Sequence, residues 1–362
     1  MAKNTINVGI NGMGVLGRRL LRMMIELNDD VNYPSRFNIV QINDPNMNAN
    51  QLVYLLKHDT VYGYWNETVE VVSGGILIHG MTIPFTHIDS DGTKGWSNCG
   101  WGNVKADNVF DCMGINQYET NAIMGTHIDA GAHNVFCCGS AMTNEMASIV
   151  FGITHQNVDI GKNQIIGIFN GDVQAAAVIG TLLNNEYTID SAICENICSY
   201  TNLNNLEDSA KSGYAAAPQV GRAGAWNIIP LTSSTGRKTG LVAPQLNGKI
   251  NGRELRAGTI AGAFMNITAN LIKDFDADTF YASVKTTLAG TLATAYANNA
   301  MCGKYDEDYL RVSSDAIGEP GVIVNEGDYV ANGTQLVNVQ VLYDALSLQA
   351  GNAILVATYW NK

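Results

Sequence analysis

Charged side chains are scarce in this 362-residue chain: Asp, Glu, Lys and Arg make up 15% of it, against about a quarter in ordinary globular proteins. Its polar surface therefore leans on Asn, Ser, Thr and Gln. Positive charge is scarcer still, with 21 Lys and Arg against 33 Asp and Glu and a net charge of −12. No basic stripe interrupts the sequence, which argues against a nucleic-acid partner, since phosphate-backbone binding needs a concentrated basic footprint. No apolar run approaches the ~20 residues that cross a bilayer, so no membrane partner is expected. The chain opens as MAKNTINVGING, straight into strand-like sequence without the apolar core of a secretion signal. The expectation is an intracellular protein, cytoplasmic by default.

Cysteine is present without a framework. Cys99, Cys112, Cys137, Cys138, Cys194, Cys198 and Cys302 are odd in number and lie in apolar segments, which suits reduced core thiols better than a disulfide scaffold. Cys194 and Cys198 lie four apart, but no second Cys or His pair flanks them to complete the four ligands usual for zinc, so no metal is expected. Asn66-Glu67-Thr68 and Asn332-Gly333-Thr334 match glycosylation sequons, read as chance without a secretion signal.

What the chain does have is 46% apolar residues and a length that suits two domains. INVGI is a β-branched run, after which NGMGVLGRRLLRMMIEL switches to helical spacing with Leu16, Leu20, Leu21 and Met24 on one face. FNIVQIND follows as a second strand, giving a βαβ unit with glycines at its first turn. Strands are expected at VEVVSGGILIHGMTI, a hairpin, and at NVFDCMG, NVFCCGS and NQIIGIF. From residue 171 the pattern becomes a helix, DVQAAAVIGTLLNNE, then the strand IDSAICENICSYTN and an irregular Gly/Ala/Ser segment. Further strands read at GRELRAGTIAGAFMNITANLI and TQLVNVQVLYD, around a helix at DADTFYASVKTTLAGTLATAYA; LSLQAGNAILVATYWNK should be a final helix.

Gly12-x-Gly14-x-x-Gly17 lies between a strand and a helix, with Leu16 and Arg18 in the helical start and Asp44 ending the second strand. The glycines let the turn close, let backbone N–H groups approach a pyrophosphate and let helix pack on strand; the carboxylate suits a ribose hydroxyl. These six residues are the candidate dinucleotide contacts.

With VGINGMGVLGR, INDPN, LVYLLKHDTVYG, AGAHNVF, VFGITHQ, NIIP, APQLNGKINGRELR and VSSD, the chain resembles glyceraldehyde-3-phosphate dehydrogenase from end to end. The resemblance implies a Rossmann-type NAD-binding domain over 1–170, with the helix at 344–362 returning to it. It implies an α+β catalytic-like domain over 171–343 on an antiparallel sheet, an S-shaped loop at 203–227 between subunits, and a homotetramer.

The family's chemistry does not carry over. Members read S-C-T-T-N-C where this chain reads Asn170-Gly171-Asp172-Val173-Gln174-Ala175, so Gly171 stands at the nucleophile's position and, without a gap, Cys198 at the general-base histidine's. A thiohemiacetal needs a thiolate beside a base, and glycine offers no side chain. Cys194 and Cys198 read as core thiols rather than a relocated nucleophile or metal pair, and Asp172 as a helix cap rather than an acid or base. Arg256 matches the phosphate-binding arginine, with Thr201 and Ser233 at hydroxyl-bearing positions; Asn170 and Asp172 replace two others. Arg256 is read as a structural partner of Asp172 rather than an anion site. Val15, Cys112-Met113 and Ala345 depart from the cofactor pattern, and a methyl at 345 cannot orient a nicotinamide as the family's asparagine does. NAD binding is therefore expected, if at all, through the ADP half.

Three functions remain open. The first is a catalytically inactive, self-assembling structural subunit forming a homotetramer or a larger filament or array, to which GRAGAWNIIP and the low surface charge point. The second is an NAD- or nucleotide-binding regulatory protein. The third is an NAD-dependent oxidoreductase with relocated catalytic residues.

Overall fold

Ile6, Val8 and Ile10 in strand β1 (Asn4–Asn11) are fully buried, as is Asn11 beyond them, and Gly9 between them is buried too. A strand covered on both faces belongs in a parallel sheet with helices on each side. The computed structural model describes residues 3–89, 95–114, 119–139, 146–156, 164–276, 279–280, 283–284, 303–306 (as backbone), 311–325 and 335–361. Most of the helix expected at 276–297, Cys302 and the Asn332 sequon lie outside the described residues. The chain divides into two compact units, 1–170 with 349–362, and 171–348.

In the first unit, α1 (Val15–Asp29) follows β1 and buries Leu16, Leu20, Leu21 and Met24. Then come β2 (Ser35–Asn43) and α2 (Ala49–Lys57). The latter opens with reciprocal 3.0 Å bonds: the Gln51 N–H donates to the Asn48 side chain and the Asn48 N–H to the Gln51 side chain, which satisfies two otherwise orphaned donors. VEVVSGGILIHGMTI forms an antiparallel three-stranded meander, 69–72, 75–78 and 81–83, one strand more than a hairpin. The chain continues through β3 (Asn108–Asp111), α3 (Asn121–Asp129), β4 (Asn134–Cys137) and β5 (Gln164–Gly167). The seven strands of the sheet are all parallel, in the order 147–148, β5, β4, β3, β1, β2, 85–86. Strand order reverses between β1 and β3, and the crevice beyond the carboxyl ends there is where open α/β sheets hold ligands.

The second unit begins with α4 (Gly171–Tyr187), buried over most of its length. Its sheet contains β6 (Ile189–Ser199), β7 (Ile229–Thr232), β8 (Ile250–Ala257), β9 (Ala263–Leu271), β10 (Val322–Asn325) and β11 (Leu336–Tyr343), with 303–306 at one edge. The order is β7-β8-β6-β9-β11-β10-(303–306). It is mixed rather than wholly antiparallel: β6 pairs with β8, and 303–306 with β10, in parallel. A short helix, α5 (Thr235–Val242), lies between β7 and β8. The last helix, α6 (Ala345–Trp360), opens in the second unit, and its residues from Gln349 count with the first. There Asn352 Oδ1 accepts the Phe151 N–H at 2.7 Å and Tyr33 Oη meets Thr358 Oγ1 at 2.7 Å. Among the described residues no helix is long and apolar enough to cross a membrane.

Segment 203–227 has no strand or α-helix, yet it is held by its own bonds. Asn205 Nδ2 donates to Ser209 O, Ser209 Oγ and Gly221 O, and Arg222 pairs with Asp208 at 2.7 Å. Val220 is buried, but two of the segment's largest apolar side chains stay in water: Trp226 is 90% exposed and Leu206 86%.

Candidate functional site

The glycine turn gives each of its three glycines a separate task. Gly12 has φ +92°, and a Cβ there would lie 2.8 Å from the Cys112 carbonyl carbon and the Met113 nitrogen. One on Gly17 would strike Gly12 O, so α1 packs this close only without it. Gly14 faces open space, with nothing within 4 Å of its missing Cβ. That is the position where a ligand's phosphates need room and backbone donors. Asp44 is buried; its carboxylate accepts the Met13 N–H at 2.7 Å and the Asn46 N–H at 2.8 Å, retaining lone pairs for a ribose hydroxyl. Arg18 Nη1 donates to Met13 O at 2.9 Å, and burial lowers the pKa of this guanidinium. Leu16 is buried in the first turn of α1, whereas Val15 is exposed.

A buried polar chain runs under this crevice. Trp101 Nε1 donates to His127 Nδ1 at 2.8 Å, which makes His127 neutral with its proton on Nε2, 3.1 Å from Asp111 Oδ2. Asn11 Nδ2 donates to the same oxygen at 2.7 Å, and Asn43 Nδ2 to Asn11 Oδ1 at 2.8 Å. The carboxyl ends of β3, β1 and β2 are thus laced together. The residues fit the ADP half of a dinucleotide: an open turn, an acid at the end of β2 and a fixed floor.

In the second unit there is no room for a side chain at position 171. A Cβ on Gly171 would lie 2.6 Å from the Ala345 Cα and 2.8 Å from its carbonyl oxygen. Asp172 sits inside the first turn of α4 rather than capping it, and takes the Thr235 hydroxyl at 2.5 Å. Thr235 Oγ1 in turn accepts from Ser233 Oγ at 2.8 Å and from Asn196 Nδ2 at 3.2 Å, so the hydroxyls that could grip an oxyanion are spent on one another and on a carboxylate. Cys198, buried, has its sulfur 3.8 Å from Tyr343 Oη. Burial, with Asp172 nearby, pushes the Cys194 and Cys198 thiols up to about 12, so neither supplies a thiolate at neutral pH.

Arg256 pairs with Glu254, not with the expected Asp172, and Nη1 donates to Ser199 O at 2.9 Å. The reason is strand geometry: residues two apart on β8 share a face. Burial raises the Glu254 pKa, with the Arg256 charge opposing. Thr201 is occupied locally, its N–H donating to Asn204 Oδ1 and its hydroxyl accepting the Leu203 N–H. Thr235, Asn196, Tyr343 and Glu254 were not singled out in the sequence. The Ser-Thr-Gly run opening α5 and the period-2 pattern of β6 and β8 are the signals that bear on them. Elsewhere, the His79 ring bridges Glu67 Oε2 at 3.0 Å and Asp29 Oδ1 at 3.3 Å. Its two nitrogens thus turn to different partners, and these three residues offer ligand-type atoms within 4.8 Å of one another.

A doubly wound parallel sheet with a glycine turn at its switch point, followed by a mixed-sheet unit, defines a nucleotide-dependent dehydrogenase fold. Residues 6–119 match the family model for the glyceraldehyde 3-phosphate dehydrogenase NAD binding domain, and residues 173–345 the model for the C-terminal domain of the same enzyme. The chain belongs to the glyceraldehyde-3-phosphate dehydrogenase family, as a divergent member. It is 29% identical to a glyceraldehyde-3-phosphate dehydrogenase of Neurospora crassa over 87% of this chain and 85% of that protein. It is 28% identical to glyceraldehyde-3-phosphate dehydrogenase 1 of Bacillus subtilis over 99% and 98%, and 27% identical to glyceraldehyde-3-phosphate dehydrogenase 4 of Caenorhabditis elegans over 93% of each.

Proposed function

We propose that this chain is a catalytically silent glyceraldehyde-3-phosphate dehydrogenase-fold subunit that works by assembling with copies of itself, as a homotetramer or a larger array. The observation that carries the first half is the Ala345 backbone, 2.6 Å from where a side chain on Gly171 would begin. The nucleophile's position is not merely mutated; its space is filled. Acyl transfer through a thiohemiacetal has no sulfur here to start it. A relocated thiol is disfavoured by the same burial that pushes Cys194 and Cys198 up to about 12.

Assembly is supported by Trp226, 90% exposed, with Leu206 and Ile228 also exposed along the 203–227 segment and just beyond it. Large aromatics left in water are favoured anchors of interfaces. Light scattering of the purified protein at rising concentration, with and without NAD, tests it alongside an assay for NAD reduction by glyceraldehyde 3-phosphate and phosphate. Oligomers without turnover are expected; turnover lost on Arg256→Ala, or a monomer throughout, overturns the reading.

A second reading, nucleotide binding with a regulatory role, is favoured by the open space at Gly14 and the placement of Asp44 on the Met13 N–H. The two are compatible, since a bound ADP half requires nothing of position 171.

A further inference from the structure

Two cysteines end neighbouring strands of the first unit. Cys112 follows β3 in the sequence Asp111-Cys112-Met113, and Cys138 follows β4 in Cys137-Cys138-Gly139. The strands are parallel and their last register pair is Cys137 with Asp111. The ladder then takes one more step, the Cys138 N–H donating to Asp111 O at 2.9 Å, which sets Cys112 and Cys138 side by side. Neighbouring strands run about 4.8 Å apart, inside the Cα separation of roughly 4.4–6.8 Å that a disulfide spans. Residues abreast in a sheet point to one face, so Cys138 and not Cys137 shares the face of Cys112. The neighbouring Cys112 thiol, ahead of burial, raises the pKa of Cys138.

We propose that Cys112 and Cys138 are a reversible dithiol–disulfide pair, closed by a hydroperoxide, at the floor of the dinucleotide-binding turn. The roles differ. Its proximity to Cys112, with burial, keeps the Cys138 thiol protonated. Cys112 is the more exposed of the two, 7% against 4%, and meets the oxidant. The Cys112 sulfur attacks the peroxide; the O–O bond breaks, a sulfenic acid forms on Cys112, and the thiol proton leaves with the departing hydroxide as water. The Cys138 sulfur then attacks the sulfenic sulfur. The S–S bond forms, the S–O bond breaks, and the Cys138 proton leaves with the hydroxide as a second water. Two thiols have lost two electrons and the hydroperoxide has gained them.

Cys112 is also where such a change reaches the nucleotide site. Its carbonyl carbon lies 2.8 Å from the missing Cβ of Gly12, and its own Cβ 3.5 Å from that of Gly17. Drawing the sulfurs together to about 2.05 Å moves the backbone on which the turn rests. This consequence rests on the nucleotide-binding reading; the disulfide itself does not.

The test exposes the native, reduced full chain to hydrogen peroxide and follows intact mass and alkylatable thiols. Expected for the wild type is loss of two hydrogens, a Cys112–Cys138 link on peptide mapping, and full reversal by dithiothreitol. Cys138→Ser should stop at a sulfenic acid on Cys112 that a dimedone probe captures; Cys112→Ser should give neither product, and Cys137→Ser should behave as wild type. A link through any other cysteine, or unchanged mass at peroxide levels that oxidise the denatured chain, overturns the proposal. ADP-ribose titration of both forms is read separately: at least tenfold weaker binding to the disulfide form supports the link to the turn, and equal binding refutes it. Absence of binding to the reduced form refutes nucleotide binding while the mapped disulfide stands.

Discussion

The Ala345 backbone lies where a side chain at position 171 would have to begin, 2.6 Å from the Cβ position of Gly171. A side chain at position 171 and the Ala345 backbone would therefore compete for one space, the observation on which the proposed loss of catalysis rests. Gly171→Cys, alone or with Cys198→His, should not restore phosphorylating dehydrogenase activity. It should also destabilise the protein by about 1–3 kcal/mol, because α4 or the start of α6 must shift to admit a Cβ. Denaturant titration and the NAD-reduction assay check both halves; an active double variant of unchanged stability would falsify the closed-site account.

Thr235 is the hub of the buried polar cluster at the start of α4, accepting from Ser233 and Asn196 and donating to Asp172. Thr235→Val leaves the buried Asp172 carboxylate without its hydroxyl donor and should cost about 1–3 kcal/mol. Thr235→Ser keeps the hydroxyl and should retain most of that stability. Calorimetry that finds Val and Ser equivalent would show that the carboxylate has another donor of equal worth.

The Cys194 and Cys198 thiols, held up to about 12 in the fold from an ordinary 9.0, make stability depend on alkaline pH. Folding favours their protonated forms. Their contribution is complete below the unfolded pKa near 9 and falls as pH rises toward 12, because the unfolded chain then gives up protons that the folded chain keeps. The expected result is a melting temperature that declines between pH 9 and 12, with a shallower slope in Cys194→Ala. An identical slope in that variant would assign the alkaline loss to other groups.

Much of the first unit can be read without coordinates because its signals are local. A glycine triplet between a β-branched run and an amphipathic helix states both the turn and the elements beside it, and Asp44 follows at the end of the next strand. Partner choice is different. Arg256 could be assigned to Asp172 from charge alone, yet Glu254, two residues back on the same strand face, reaches it first. Closure at Gly171 depends on where α6 begins, far along the chain, and leaves no trace in the sequence around 171. Thr235 was passed over for Ser233 because neighbouring hydroxyls look alike until a fold aims one of them at a carboxylate.

Gly14→Val offers a clean test of the nucleotide site, since nothing lies within 4 Å of the new Cβ. The fold should lose no more than about 1 kcal/mol, from replacing glycine by a β-branched residue at the cap of α1. ADP-ribose binding should be abolished, because the side chain stands where the pyrophosphate must approach. In the wild type ADP-ribose should compete nearly as well as NAD, because the candidate contacts, the glycine turn and Asp44, all serve the ADP half. Calorimetry showing NAD far tighter than ADP-ribose would contradict this.

Trp226 decides the assembly proposal. Its ring is 90% exposed, and its own loop is tied down by Asn205 and the Arg222–Asp208 pair without using it. A segment braced internally but presenting an indole to water has the rigidity that an interface anchor needs, because little side-chain or loop entropy is lost when a second copy covers it. Trp226→Ala should therefore weaken self-association by about 2 kcal/mol or more, roughly thirtyfold in the association constant, with the monomer's melting curve unchanged because the ring touches little of its own chain. Light scattering and sedimentation across micromolar concentrations read the first effect and calorimetry the second. A wild type that stays monomeric, or a variant that assembles as the wild type does, removes Trp226 from the interface and with it the main support for function through assembly.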